Sequence, residues 1–257
     1  MTRTFGALTL ILSLGLAPAA SGQELSAKEI VDRMLQGDYM AFDQGHAVVR
    51  MTLENKRGKQ RIRKVESRGR SVNGLRTFVV TFLEPDDVAG TQMLSIERKG
   101  QEDLQYLYLA SMKDKRLIAG SDKNDSFMGT DFTYADMEQR DIEDSTWTRL
   151  PDEEVSGIPA YHVVSQTLGK ETSYGKVEVW IDRKDFLPLK VYYYDRKGAL
   201  LKKLIAQQIE PKGGKLTITR LLMKNVQKET KTLIEMLSLD RTATFPDAIF
   251  SPDNLGK

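Results

Sequence analysis

Cysteine is absent from all 257 residues. That excludes a disulfide framework, thiolate ligation of a metal and acylation at an amino-terminal cysteine. Histidine is nearly absent: His46 and His162 stand far apart, each inside an alternating pattern, and neither has the His-x-x-x-His spacing of a helical metal pair. Both read as surface or hydrogen-bonded residues. There is no Gly-x-Ser-x-Gly elbow, although a serine, a histidine and an aspartate distant in sequence could still converge in space. No glycine-rich phosphate loop joins a strand to a helix, and Asp122-Lys123-Asn124-Asp125 lacks the spacing and closing glutamate of a calcium loop. The expectation is a protein without metal or cofactor and without a catalytic constellation.

A surplus of one charge is also missing. The 38 Lys and Arg residues nearly balance 36 Asp and Glu, leaving +2, which argues against nucleic acid as a partner. Lys56, Arg57, Lys59, Arg61, Arg63 and Lys64 form a local basic patch. It reads as a solvated strand face, and its functional alternative is docking to anionic headgroups or to an acidic partner surface. The apolar run Leu8 to Leu16 is too short to span a bilayer. It follows Arg3 and precedes the small residues Ala17, Ala19, Ala20, Ser21 and Gly22, the order of a secretory signal. The pattern predicts a signal peptide over 1–22, cleaved between Gly22 and Gln23, with a second possible site at Ala17 and Ala19. It predicts that the mature chain is exported. The remaining chain, roughly 235 residues, would bury about two-thirds or more of its unfolded surface and can be stable through its core alone.

Ser26 and Glu29 form a capping box, opening a helix with Ile30, Val31, Met34 and Leu35 on one face, weakened at Gly37 and ending by about Ala41. From there the period changes to two. Val49, Met51 and Leu53 alternate with polar residues, as do Phe78, Val80 and Phe82, then Val177, Val179 and Ile181, and less cleanly Leu233, Leu237 and Leu239. Turn signals lie between such runs at Asn55 to Gly58, Val72-Asn73-Gly74, Asp195 to Gly198 and Pro211 to Gly214. With no low-complexity linker and no repeat of fixed period, residues 23–257 read as a single domain. The fold class is α+β, mainly antiparallel β. Such a long sheet must close into a barrel or have its inner face covered, and the covers available are the amino-terminal helix and the stretch from Phe127 to Met137.

Ser126-Phe127-Met128-Gly129-Thr130-Asp131-Phe132-Thr133-Tyr134-Ala135-Asp136-Met137 resembles a characteristic segment of the outer-membrane lipoprotein-sorting, LolA-like family. Three further stretches support the resemblance in the expected order. They are Phe82-Leu83-Glu84-Pro85 running to Gly90-Thr91, Val179-Trp180-Ile181-Asp182 followed by Phe186 to Lys190, and Tyr194-Asp195-Arg196-Lys197-Gly198. The resemblance implies a half-open, incomplete β-barrel with an amino-terminal helix and a loop or short-helix lid over its open side, enclosing a cavity for acyl chains. It implies a periplasmic carrier that moves lipid or lipoprotein acyl chains between membranes toward the outer one. The expected associations are an inner-membrane transporter that loads it, transient membrane contact and a monomeric state. Other uses of the same fold would be a lipid-sensing regulatory module or, given a convergent site, a lipid hydrolase.

The strand faces then supply the expected wall of that cavity: Phe78, Val80 and Phe82; Leu94 and Ile96; Val177, Val179 and Ile181; and Leu189, Val191 and Tyr193, all beneath Met34 and Leu35. Phe127, Phe132 and Tyr134 are expected in a mobile lid that contacts the ligand. Asp131, Asp136 and Glu138 lie near these aromatic residues, where two carboxylates could form an acid/base pair; the structural reading preferred to it is a cap by Thr130 or Asp131 for a short turn over Thr133 to Met137. Methionines such as Met34, Met51, Met128 and Met137 suit a surface that accepts varied chains, and are equally ordinary core filler.

Overall fold

A computed structural model describes residues 24–37, 39, 44–138, 143, 145–168 and 172–257. The signal peptide and its cleavage site, as read from the sequence, lie outside the described residues. The helix α1 runs over Ala27–Leu35. The Ser26 hydroxyl accepts from the Glu29 amide while the Glu29 carboxylate accepts from the Ser26 amide, so two of the donors that a helix start leaves unpaired are satisfied.

Thirteen strands follow. They are β1 (Gly45–Glu54), β2 (Gln60–Val72), β3 (Leu75–Glu84), β4 (Gln92–Ile96), β5 (Leu104–Leu109), β6 (Asp114–Ile118), β7 (Ser145–Val155), β8 (Ile158–Thr167), β9 (Tyr174–Asp182), β10 (Pro188–Asp195), β11 (Leu200–Lys212), β12 (Lys215–Asn225) and β13 (Thr230–Asp240). They form one antiparallel sheet in the order β6-β5-β4-β3-β2-β1-β13-β12-β11-β10-β9-β8-β7. Two meanders, β1 to β6 and β7 to β13, are thus zipped together by the one distant pairing, β1 with β13. β6 and β7 remain as edges, so the barrel is half-open. The chain between those edges contains the Phe127 to Met137 segment, which is how a connection becomes a cover.

The turns expected from the sequence fall between strands. Asn73-Gly74 and Gly213-Gly214 have positive φ at both central positions, the mirror-image geometry that follows the right-handed twist of a hairpin. β13 departs from its expected phase: Thr232 and Ile234 are buried, while Leu233 is half-buried and Leu237 exposed. Its register with β1 shifts between Val48 and Val49, so a count by twos from Leu239 arrives on the wrong face.

Three apolar groups hold the molecule together. The largest lies on the concave face around Phe82, Met93, Leu107, Phe127 and Met223. A second packs Ile30 and Val31 of α1 on Val163, Val177, Val179 and Ile181; both helix residues are wholly buried, stabilising by about 1.5–3 kcal/mol each. The third is outside. Phe250 and Leu255, in and just after the short 3₁₀ turns Asp247–Phe250 and Pro252–Asn254, cover Val79 and Leu94 on the convex face.

Candidate functional site

Between the concave face, α1 and the Phe127 to Met137 segment lies a cavity of about 380 Å³ with predominantly apolar walls, within the size range of ligand pockets. Strand register explains which side chains reach it. Val80 pairs with Ser67 on one side, and Ser67 with Ala47 beyond it; on the far half Val179 pairs with Val191, and Val191 with Leu204. Directly paired residues share a face, so alternation carries apolar side chains around the curve of the sheet.

Eleven of the residues expected from the sequence line this cavity: Met34 and Leu35; Phe78 and Val80; Phe127 and Phe132; Val177 and Val179; and Leu189, Val191 and Tyr193. Three lie behind its lining. Phe82 is wholly buried with its ring 5.7 Å from that of Phe127. Tyr134 packs edge-on to Phe127 at 5.6 Å. Ile181 is covered by the α1 cluster. Leu94 and Ile96 are elsewhere: β3 and β4 pair Val80 with Met93 and Phe78 with Ser95, so Met93 and Ser95 face inward and Leu94 joins the convex cluster with Val79. The expectation for these two is corrected by one residue of strand phase.

Other lining residues were not anticipated as site residues. Val49 and Met51 belong to an alternating run visible in the sequence, whereas Val65, Leu204, Leu221 and Ile234 come from strands whose patterns are broken by charge or by bulges. Polar groups also reach the wall, notably Asp136, Glu138, Arg76 and Lys190. Arg76 is held by Glu97 at 3.0 Å, and the Lys190 ammonium sits 3.6 Å from the Trp180 ring centroid.

The aromatic segment is shaped by its own backbone and then fastened to the sheet. The Phe127 amide donates to the Phe132 carbonyl at 2.8 Å, and Met128 takes positive φ, so the two phenylalanines are drawn together. The Asp131 carboxylate accepts from the Thr230 hydroxyl and, at 2.7 Å, from the Thr232 hydroxyl, while the Asp131 amide donates to the Thr232 oxygen at 2.9 Å. Arg63 adds a hydrogen bond to the Met128 carbonyl. At the far end Thr133 caps the turn Tyr134–Met137 in a capping box with Asp136. The cap is therefore Thr133, and Asp131 binds β13 instead. Asp136 also accepts from the Tyr174 hydroxyl at 2.9 Å and from the Lys202 ammonium at 3.2 Å. Burial and then the Asp136 charge push the Tyr174 hydroxyl pKa far up, so this phenol stays a donor. Glu138 pairs with Lys123 at 3.0 Å, yet burial holds its carboxyl above the ordinary carboxylate range.

The histidines show no metal arrangement: His46 faces Glu66 at 3.2 Å, and His162 stacks on Trp180 with Nδ1 3.0 Å from Glu153. Among the described residues no group of three His, Asp or Glu is arranged to hold a metal ion. No described helix is long and apolar enough to cross a membrane.

A concave antiparallel sheet left open at its edges, with one helix and a short aromatic segment over an apolar cavity, is a LolA-like fold. A family model described as an uncharacterized protein matches residues 74–257, and the chain belongs to that family. It is similar to a putative outer membrane lipoprotein-sorting protein domain from Vibrio parahaemolyticus, with 28% identity over 90% of this chain and 98% of that one and a TM-score of 0.82. A DUF1329 family protein from Desulfovibrio piger is similar at 26% identity over 89% of this chain and 97% of that one, again with a TM-score of 0.82. A LolA superfamily protein from Nitrosomonas europaea shares the fold, with a TM-score of 0.70 at 17% identity over 90% of this chain and all of that one, 100%. No curated protein matches the sequence.

Proposed function

We propose that this protein is a periplasmic carrier that holds lipid or lipoprotein acyl chains in the cavity under α1 and passes them toward the outer membrane. The observation that carries this reading is the apolar cavity of about 380 Å³ enclosed by the concave sheet of a LolA-like fold. Leaving a bilayer forfeits about 0.8 kcal/mol per methylene, so a carrier must replace the membrane with an apolar enclosure, and no catalytic residue is needed. The chains contact Phe78, Val80, Val177, Val179, Leu189, Val191 and Tyr193 on the sheet, Met34 and Leu35 on the helix, and Phe127 and Phe132 on the cover. Residues 1–22 direct export and are removed, residues 23–257 act as one monomeric unit, and an inner-membrane transporter loads it.

Mass spectrometry of lipid released from protein purified without detergent, followed by transfer of a fluorescent lipid between donor and acceptor vesicles, tests the reading. Expected are copurified acyl chains and protein-dependent transfer, both abolished by Val179→Glu, which places a carboxylate in the cavity; an unchanged melting temperature for that variant excludes unfolding. Retention of lipid without any transfer would favour a sensor, and release of free fatty acid from an intact ester would show a hydrolase.

A further inference from the structure

A second concavity, about 440 Å³, adjoins the apolar one. Phe132 lines both, and the ion pair between Asp136 of the first and Lys202 of the second lies between them. The two differ in chemistry. Into the second come Lys59 from the turn before β2, Arg61 from the start of β2 and Lys228 from the turn before β13. These three side chains are exposed and form no ion pair among the described residues. The remaining charges there are already committed. Lys231 is paired with Glu54 at 2.9 Å, Lys202 with Asp136 at 3.2 Å, and the Asp131 carboxylate with the hydroxyls of Thr230 and Thr232. What is left over is cationic, convergent and concave, an arrangement that concentrates anions and offers charge-assisted hydrogen bonds to phosphate.

We propose that this pocket is a phosphate-binding site, placed to hold the phosphate headgroup of an amphiphile whose acyl chains enter the neighbouring cavity across Phe132. The lipid part of the proposal rests on the acyl-binding reading above. It also gives a use to Lys59 and Arg61 of the basic patch.

The test compares short-chain phosphatidic acid with diacylglycerol bearing the same chains, below their aggregation limits, by calorimetric titration of the wild type and of Lys59→Gln/Arg61→Gln/Lys228→Gln. Circular dichroism checks the fold of the variant, whose altered side chains are all exposed. Expected is a preference for phosphatidic acid of roughly tenfold or more, the effect of one or two charge-assisted bonds. That preference should shrink with added salt and vanish in the triple variant, with diacylglycerol affinity unaltered. Equal affinity of the wild type for the two lipids overturns the headgroup site while leaving the acyl reading intact. If neither lipid binds, the acyl reading has failed, and titration with inorganic phosphate decides the pocket by itself. Saturable phosphate binding lost in the triple variant supports a site for the free anion; its absence overturns the phosphate site altogether.

Discussion

The Asp136 carboxylate and the Lys202 ammonium meet at 3.2 Å with side-chain exposures of only 4% and 6%, and both touch the Tyr174 hydroxyl. This ties the end of the aromatic segment to β11 through a buried charge pair. Breaking such a pair from one side strands the other charge and costs about 3–5 kcal/mol, whereas removing both charges costs much less. Asp136→Ala should therefore lower stability by about that amount in urea denaturation, and Asp136→Asn/Lys202→Met should recover a large part of it. Equal losses in the two variants would mean that the pairing of charges is not what matters there.

A second fastening is Asp131 on β13. Two hydroxyl donors, from Thr230 and Thr232, serve one carboxylate, each bond to a charged group contributing about 1.5–3 kcal/mol. Asp131→Ala should loosen the segment locally before it affects the sheet. Amide hydrogen exchange checks this: residues 126–133 should lose protection in the variant while β9 and β10 keep theirs. Uniform loss across the sheet would make Asp131 part of the global core instead of a fastening.

Much of the architecture was legible because local signals agreed with one another. Ser26 and Glu29 announce the helix, Asn73-Gly74 a hairpin, and Val177, Val179 and Val191 a covered face. What escaped reading was phase. In β4 both faces are covered, Met93 by the concave cluster and Leu94 by Phe250 and Leu255, so hydrophobicity cannot tell inside from outside, and Leu94 and Ile96 lie on the convex side. In β13 the register shift opposite Val49 defeats counting by twos. The fastenings by Asp131 and Asp136 were invisible for a different reason: Asp131 and Thr232 are 101 residues apart, and Asp136 and Lys202 are 66 apart. The local box of Ser26 and Glu29 can be read from spacing alone, whereas a partner 66 or 101 residues away leaves no such mark.

Glu138 gives the site a pH dependence whose sign can be worked out. Burial raises its carboxyl pKa, Lys123 at 3.0 Å opposes the rise, and Asp103 and Glu102 add to it. The folded protein therefore binds this proton more tightly than the unfolded chain, and the contribution to stability falls as pH rises from the ordinary carboxylate value, about 4.3, through the raised folded value. Glu138→Gln removes that titration, and Lys123 keeps Glu102 at 3.5 Å as a partner. Denaturation from pH 4 to pH 7, on the order of the span in question, should show the wild type losing stability relative to the variant as pH increases. A wild type that gains relative to the variant over this range would show that the ion pair, and not burial, governs Glu138.

Phe127 and Phe132 occupy one short loop and face the same cavity, but their surroundings set them different tasks. Phe127 is 1% exposed and wedged between the rings of Phe82 and Tyr134. Its truncation to Ala should cost about 3–5 kcal/mol, as for other buried aromatic residues. Phe132 is 8% exposed, has no ring neighbour among the described residues and lines both concavities, so Phe132→Ala should remove ligand contact at a smaller cost in stability. Thermal unfolding measured beside the affinity for a fluorescent fatty acid separates the two. Phe127→Ala should lower the melting temperature by several degrees, and Phe132→Ala should weaken the probe severalfold, about 1 kcal/mol of contact, with a smaller thermal shift. If Phe132→Ala unfolds as early as Phe127→Ala and leaves probe affinity unchanged, Phe132 belongs to the core, and the aromatic segment is a plug in place of a ligand-contacting rim.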